Sequence, residues 1–112
     1  MGRRLIIQVA VAVVLALMVV GIVSCAVRPG ASEATIANLS FVPPELTVSQ
    51  GATVTWTNKD NTAHTVTSDE GLFGSPVLNP SDKFEVKFEN KGTFVYHCEV
   101  HDYMKHARVI VK

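Results

Sequence analysis

Lys83-Phe84-Glu85-Val86-Lys87-Phe88 alternates charged and apolar side chains with a period of two. That period puts the apolar set on one face of an extended strand and the charges on the other, which no helix can do. A strand with one apolar face must bury it against a second layer, so the segment demands a sheet packed on something else. The same reading extends along the chain. Thr35 to Leu39 and Glu45 to Ser49 read as strands on either side of Pro43-Pro44, where the missing donors stop pairing. Gly51 turns the chain into Thr53 to Asn58, with Val54 and Trp56 on one face, and Trp56 reads as a core residue. Asn58-Lys59-Asp60-Asn61 is a turn cluster ahead of a β-branched strand, Ala63 to Thr67. Gly71 to Ser81, carrying Gly74, Pro76 and Pro80, is the longest irregular connection. Thr93 to Cys98 and His106 to Val111 complete about seven short strands. No helical period follows residue 34, which predicts an all-β, small antiparallel sandwich or barrel.

The 112 residues are 47% hydrophobic, but much of that excess lies in one place. Leu5 to Val23 is apolar except for Gln8 and follows Arg3 and Arg4. Its length approaches the ~20 residues of a membrane span and exceeds the ~7–15 of an ordinary signal. The basic residues ahead of it would stay on the cytoplasmic side, so the rest of the chain is expected to be extracytoplasmic, on the periplasmic or cell-surface side. Ile22-Val23-Ser24-Cys25 resembles the lipobox of bacterial lipoproteins, in which the cysteine is lipidated. Either a retained transmembrane helix or an acylated Cys25 would anchor the chain. The expected organisation is a leader or anchor over 1–25, a short Pro/Gly/Ser tether over 26–33, and one domain over 34–112.

Chemistry concentrates in Tyr96-His97-Cys98-Glu99-Val100-His101-Asp102-Tyr103-Met104. A thiol, an imidazole and a thioether stand within seven residues at the end of a strand. Soft sulfur donors with imidazole suit copper better than magnesium or calcium, and Cys with two His and a weak Met is the blue-copper ligand set. His64, where turn residues give way to a β-branched run, is the candidate for the second imidazole. Parity puts Phe94, Tyr96 and Cys98 on one face, with the thiol pointing inward and His97 pointing out as a rim residue. His106 follows the ligand loop and is left outside the site. The only other cysteine is Cys25, and a disulfide to it would consume the proposed thiolate, so none is expected.

Taken with Phe41-Val42-Pro43-Pro44, Gly51-Ala52-Thr53-Val54-Thr55-Trp56-Thr57-Asn58 and Gly92-Thr93-Phe94-Val95-Tyr96-His97-Cys98, the Cys-x2-His-x2-Met loop resembles the cupredoxin (type 1 blue copper) family. Its length is similar to that of the amicyanin branch and shorter than the plastocyanin loop. The resemblance covers about Ala34 to Lys112. It implies a Greek-key β-sandwich holding one copper ion on His64, Cys98, His101 and the axial Met104. It also implies electron transfer, with copper cycling between Cu(II) and Cu(I). Several positions depart from the pattern. Glu99-Val100 and Asp102 stand where relatives carry prolines near the ligand histidine, His106 where they commonly carry Gly, and Thr65 where many place Asn. The Thr65 hydroxyl is a candidate to tie the two ligand loops together.

The resemblance further implies a redox partner such as a c-type cytochrome or a membrane oxidoreductase, met through an apolar patch around His101, Val100 and Tyr103. Glu99 and Asp102 would favour a basic partner. A monomeric domain is expected. Without Arg3 and Arg4 the chain is mildly acidic, and no basic patch suggests nucleic acid. An enzyme is not expected, because four protein ligands leave no open metal position. The competing reading from another class is a copper-binding or delivery protein that does not shuttle electrons; a zinc site in a structural module would not need Met104.

Overall fold

The structure is a computed structural model that describes residues 30–112. The apolar run from Leu5 to Val23 and the lipobox-like Cys25 lie outside the described residues. Eight strands follow: β1 (Ala31–Ala37), β2 (Ser40–Val42), β3 (Glu45–Val48), β4 (Ala52–Asn58), β5 (Thr67–Ser68), β6 (Lys83–Phe88), β7 (Gly92–His97) and β8 (Ala107–Val111). They form two four-stranded sheets, ordered β2-β1-β4-β6 and β3-β8-β7-β5. Among the described residues there is no helix.

The expected all-β sandwich is present, but the sheets are mixed rather than wholly antiparallel. β1 runs parallel to β4, with Ala31 opposite Thr53 and Ile36 opposite Asn58, and β3 runs parallel to β8. Neither pair can form through a tight turn, so each needs a connection that leaves the sheet and returns. Three further differences from the sequence reading are local. β1 begins at Ala31, inside the segment read as tether, because Gly30 O accepts from Thr53 N and starts the ladder. β2 is an additional three-residue strand, joined to β1 through Asn38 and Leu39, both at positive φ (53° and 58°). Ala63 to Thr67 is not a continuous strand. Backbone bonds from His64 go to Leu78 in both directions (3.0 and 2.7 Å), so this stretch pairs with the irregular connection instead of with a full neighbour.

Period-two burial explains the packing. Val54 and Trp56 of β4 are fully buried, as are Ile36 of β1 and Val109 of β8. Trp56 lies at the centre, with the rings of Tyr96, Phe73, Phe84 and Phe88 around it at 5.3–6.4 Å. Its indole N–H donates to the Tyr96 hydroxyl at 3.2 Å, joining β4 of one sheet to β7 of the other. Phe41 meets the same tyrosine edge-on, 4.7 Å between centroids. Both partners are buried, so neither polar group has water as a substitute.

Burial pushes the Tyr96 phenol up from 10.0 to about 12, against a smaller opposing effect of the Trp56 bond. In the unfolded chain the phenol ionises near its ordinary value. The stability held in the neutral, buried phenol is therefore complete below pH 10 and is lost as the pH rises through about 12, at up to about 1.4 kcal/mol per unit. Replacing Tyr96 with Phe leaves the Trp56 N–H without an acceptor and is expected to cost about 1–3 kcal/mol at neutral pH. It should also flatten that share of the alkaline decline. Urea unfolding of both proteins at neutral and alkaline pH measures the two effects.

Candidate metal centre

Three donor atoms converge at one pole of the sandwich. One ring nitrogen each of His64 and His101 and the Cys98 Sγ all lie within 4.8 Å of one another. Sγ is 3.7 Å from the His64 nitrogen and 3.9 Å from the His101 nitrogen. Ligand atoms at about 2.0–2.3 Å from a shared ion in a trigonal plane would be separated by about 3.5–4.0 Å. The two sulfur–nitrogen distances thus have the spacing of co-ligands, and a soft thiolate with two imidazoles fits copper.

Two segments of the fold position the donors. Cys98 directly follows β7 and keeps the parity of Tyr96, so the thiol is buried, at 3% exposure. Its backbone N–H donates to Met104 O at 2.9 Å, and Met104 N–H donates to His101 O at 3.0 Å. These two bonds close the ligand loop without the prolines of the amicyanin pattern, by hydrogen bonding rather than by ring stiffness. Met104, at the end of the loop, is buried at 4% exposure. His101 is half-buried, and the exposed Tyr103 ring stands 5.7 Å from it.

His64 reaches the site from the segment after β4. It is fully buried, and the reciprocal bonds to Leu78 fix its backbone. Beside it, Thr65 N–H points at Cys98 Sγ at 3.4 Å, within the range of a hydrogen bond to sulfur. Thr65 Oγ1 accepts from Glu99 N–H at 2.8 Å. The hydroxyl expected to tie the two ligand loops therefore does so.

The remaining histidines lie apart from the cluster. His97 faces the other side of β7, where its Nδ1 pairs with Asp69 Oδ1 at 2.6 Å on the surface. His106 is exposed, with φ at 71°, the left-handed conformation in which the Gly of the family pattern is unstrained.

Sequence reasoning read Asn58 to Asn61 as turn chemistry and missed its contact with the site. Asn58 is fully buried; its amide donates to Thr62 O and Leu78 O, both at 2.9 Å, and its carbonyl accepts from Asp60 N–H. Asp60 Oδ2 lies 2.9 Å from His64 Nε2. Burial pushes the Asp60 carboxyl up, but hydrogen bonds from Leu39 N–H, His64 and Asn38 N–H outweigh that and hold it below its ordinary value. An ionised carboxylate can only accept, so Asp60 is placed to take a proton from Nε2, and the neutral tautomer with that proton would leave the Nδ1 lone pair free to face the cluster. The available signal was an Asp four residues ahead of the candidate ligand in a strand-end turn.

With this geometry in place, comparison with known proteins decides the family. Residues 9–111 match the family described as the Cupredoxin-like domain. The chain belongs to the cupredoxin family. It is similar to amicyanin-alpha of Methylorubrum extorquens, 34% identical over 88 residues that cover 74% of this chain and 73% of that protein. It is also similar to plastocyanin of Scenedesmus fuscus, 34% identical over 74 residues covering 56% of this chain and 76% of the relative. Among solved structures, a novel purple cupredoxin from Nitrosopumilus maritimus superposes with a TM-score of 0.66 at 33% identity. That match covers 72% of this chain and 99% of the other. Cupredoxins are typically copper electron-transfer proteins and bind one copper, and the His64-Cys98-His101 cluster is compatible with that cofactor.

Replacing Thr65 with Val keeps the backbone N–H to sulfur but removes the acceptor for Glu99. The expected result is a loss of about 1–2 kcal/mol in the metal-free protein and faster exchange of the Glu99 amide proton. Hydrogen exchange followed by NMR checks both.

Proposed function

We propose that this chain is a mononuclear type 1 copper electron-transfer protein, tethered to the outer face of a membrane, in which His64, Cys98 and His101 would hold the copper with Met104 as a weak fourth ligand. The observation that carries the reading is the convergence within 4.8 Å of a buried thiol and an imidazole nitrogen on a loop closed by its own backbone bonds with a second imidazole nitrogen from His64. Copper held there would supply a one-electron couple between Cu(II) and Cu(I). The chain's part is to keep the donor atoms where both oxidation states accept them, so that little has to move when the electron does. The double bonding of His64 to Leu78 and of the Cys98–Met104 loop to itself restrains both ligand segments in this way.

The two imidazoles differ in access. His64 is fully buried, whereas His101 is half-buried beside exposed Tyr103 and Val100. An electron partner would meet the His101 side, across a small apolar patch edged by the exposed Glu99 and Asp102. A partner with a basic rim, such as a c-type cytochrome, suits those charges. The anchor is supplied in this reading by Leu5 to Val23, with or without acylation of Cys25.

Titrating the full chain in detergent with Cu(II) tests the function. One equivalent should produce an intense visible band that disappears on reduction, returns on reoxidation, and is absent from Cys98→Ser. Because one similar structure is described as purple, the strength and cysteine dependence of the band are the criteria, not its hue. Tight Cu(I) binding without a reversible couple would instead identify a copper-holding or delivery protein.

A further inference from the structure

Asp60 is bound on three sides. Its Oδ1 accepts from Asn38 N–H at 2.7 Å, and its Oδ2 accepts from Leu39 N–H at 2.9 Å and faces His64 Nε2 at 2.9 Å. Asn38 and Leu39 are the tip of the β1–β2 hairpin, both in the left-handed region. Asparagine tolerates that conformation, but leucine does so only at a cost. The strained tip aims two adjacent backbone N–H groups at one carboxylate, and that carboxylate is in turn aimed at the buried imidazole. Two oxygens serve three donors, all of which need an acceptor.

We propose that Asp60 is a positioning residue for the metal centre. The carboxylate fixes the ring orientation and tautomer of His64 and strengthens its Nδ1 as a donor, and the hairpin tip holds the carboxylate in place. The proposal rests on the copper reading above and adds a tuning element to it. A ligating imidazole whose other N–H is given to a carboxylate becomes a more basic ligand, and losing such a partner typically weakens metal binding about 10–100-fold. A more basic nitrogen favours Cu(II) over Cu(I), since nitrogen donors suit the higher oxidation state. The carboxylate should therefore lower the reduction potential of the centre.

The amide of Asp60→Asn cannot reproduce the arrangement. Its one oxygen can serve either the Asn38 side or the Leu39 and His64 side, and its NH2 group then faces a donor on the other. Asp60→Glu keeps the charge on a longer arm. Cu(II) and Cu(I) affinities and the reduction potential of the full chain in detergent are to be compared for the three proteins. For Asp60→Asn, Cu(II) affinity is expected to fall about 10–100-fold, Cu(I) affinity to fall less, and the potential to rise, with Asp60→Glu lying closer to the original. Equal losses in both oxidation states with an unchanged potential would reduce Asp60 to a hairpin fastener and overturn the proposal.

A readout without metal protects the test. In the copper-free original protein, 15N NMR of the imidazole is expected to report His64 protonated at Nε2 and bare at Nδ1. The opposite tautomer would overturn the proposal even if Asp60→Asn does not fold. If the original chain gave the expected tautomer but no reversible copper couple, the functional reading would fail while the carboxylate–imidazole contact stood.

Discussion

Cys98, directly after β7, keeps the inward parity of Tyr96 within that strand, and the metal centre depends on it. Tyr96 is held by the indole of Trp56, which reaches across from the other sheet, and by the edge of Phe41. With the tyrosine locked into the core, the strand cannot rotate or slip by one residue without exposing it and turning the thiol to solvent. The packing of an aromatic cluster thus decides where a sulfur atom points two residues later. The same parity sends His97 outward, where it meets Asp69 instead of the metal ligands.

A thiolate at a strand end is only one donor, and the remaining two arrive on segments that belong to neither sheet's ladder. The fold compensates with local hydrogen bonds. His64 exchanges two backbone bonds with Leu78, and the Cys98–Met104 loop closes on itself. Thr65 joins these segments twice, through its N–H to the sulfur and through its hydroxyl to Glu99. Prolines would stiffen such a loop by restricting φ and removing donors. Here the bonds of the Cys98, Glu99 and Met104 N–H groups restrain the loop instead, a different route to the same end.

Much of this was legible because it is written in short-range pattern. The alternation over Lys83 to Phe88, the shared face of Val54 and Trp56, and the inward thiol each follow from a period of two. The pairing of β1 with β4 and of β3 with β8 was not legible, because parallel partners lie far apart in sequence and no turn residue marks their register. β2 escaped because three residues next to a Pro-Pro break carry too little alternation to count. Ala63 to Thr67 had strand composition, yet propensity describes a residue's fit to a pleated surface and not whether a neighbour exists to pair with it. Asp60 and Asn58 were read only as turn formers, since their roles depend on atoms of residues 38, 39, 64 and 78 that the turn brings near.

The polar groups of this pole are distributed unevenly, and the asymmetry follows from burial. On the inner side, His64 has lost all contact with water, so its second nitrogen must find a partner inside the protein, and Asp60 supplies one. A carboxylate there would itself be costly to dehydrate, and the two N–H groups of the β1–β2 tip offset that cost. The left-handed backbone of Leu39 is then the last link of a chain that begins with a dry imidazole. On the outer side, His101 is half-buried and in reach of solvent, and among the described residues no carboxylate is bonded to its ring. One ligand is thereby fixed by the interior, while the other stands at a surface of exposed Val100 and Tyr103 that a second molecule can cover.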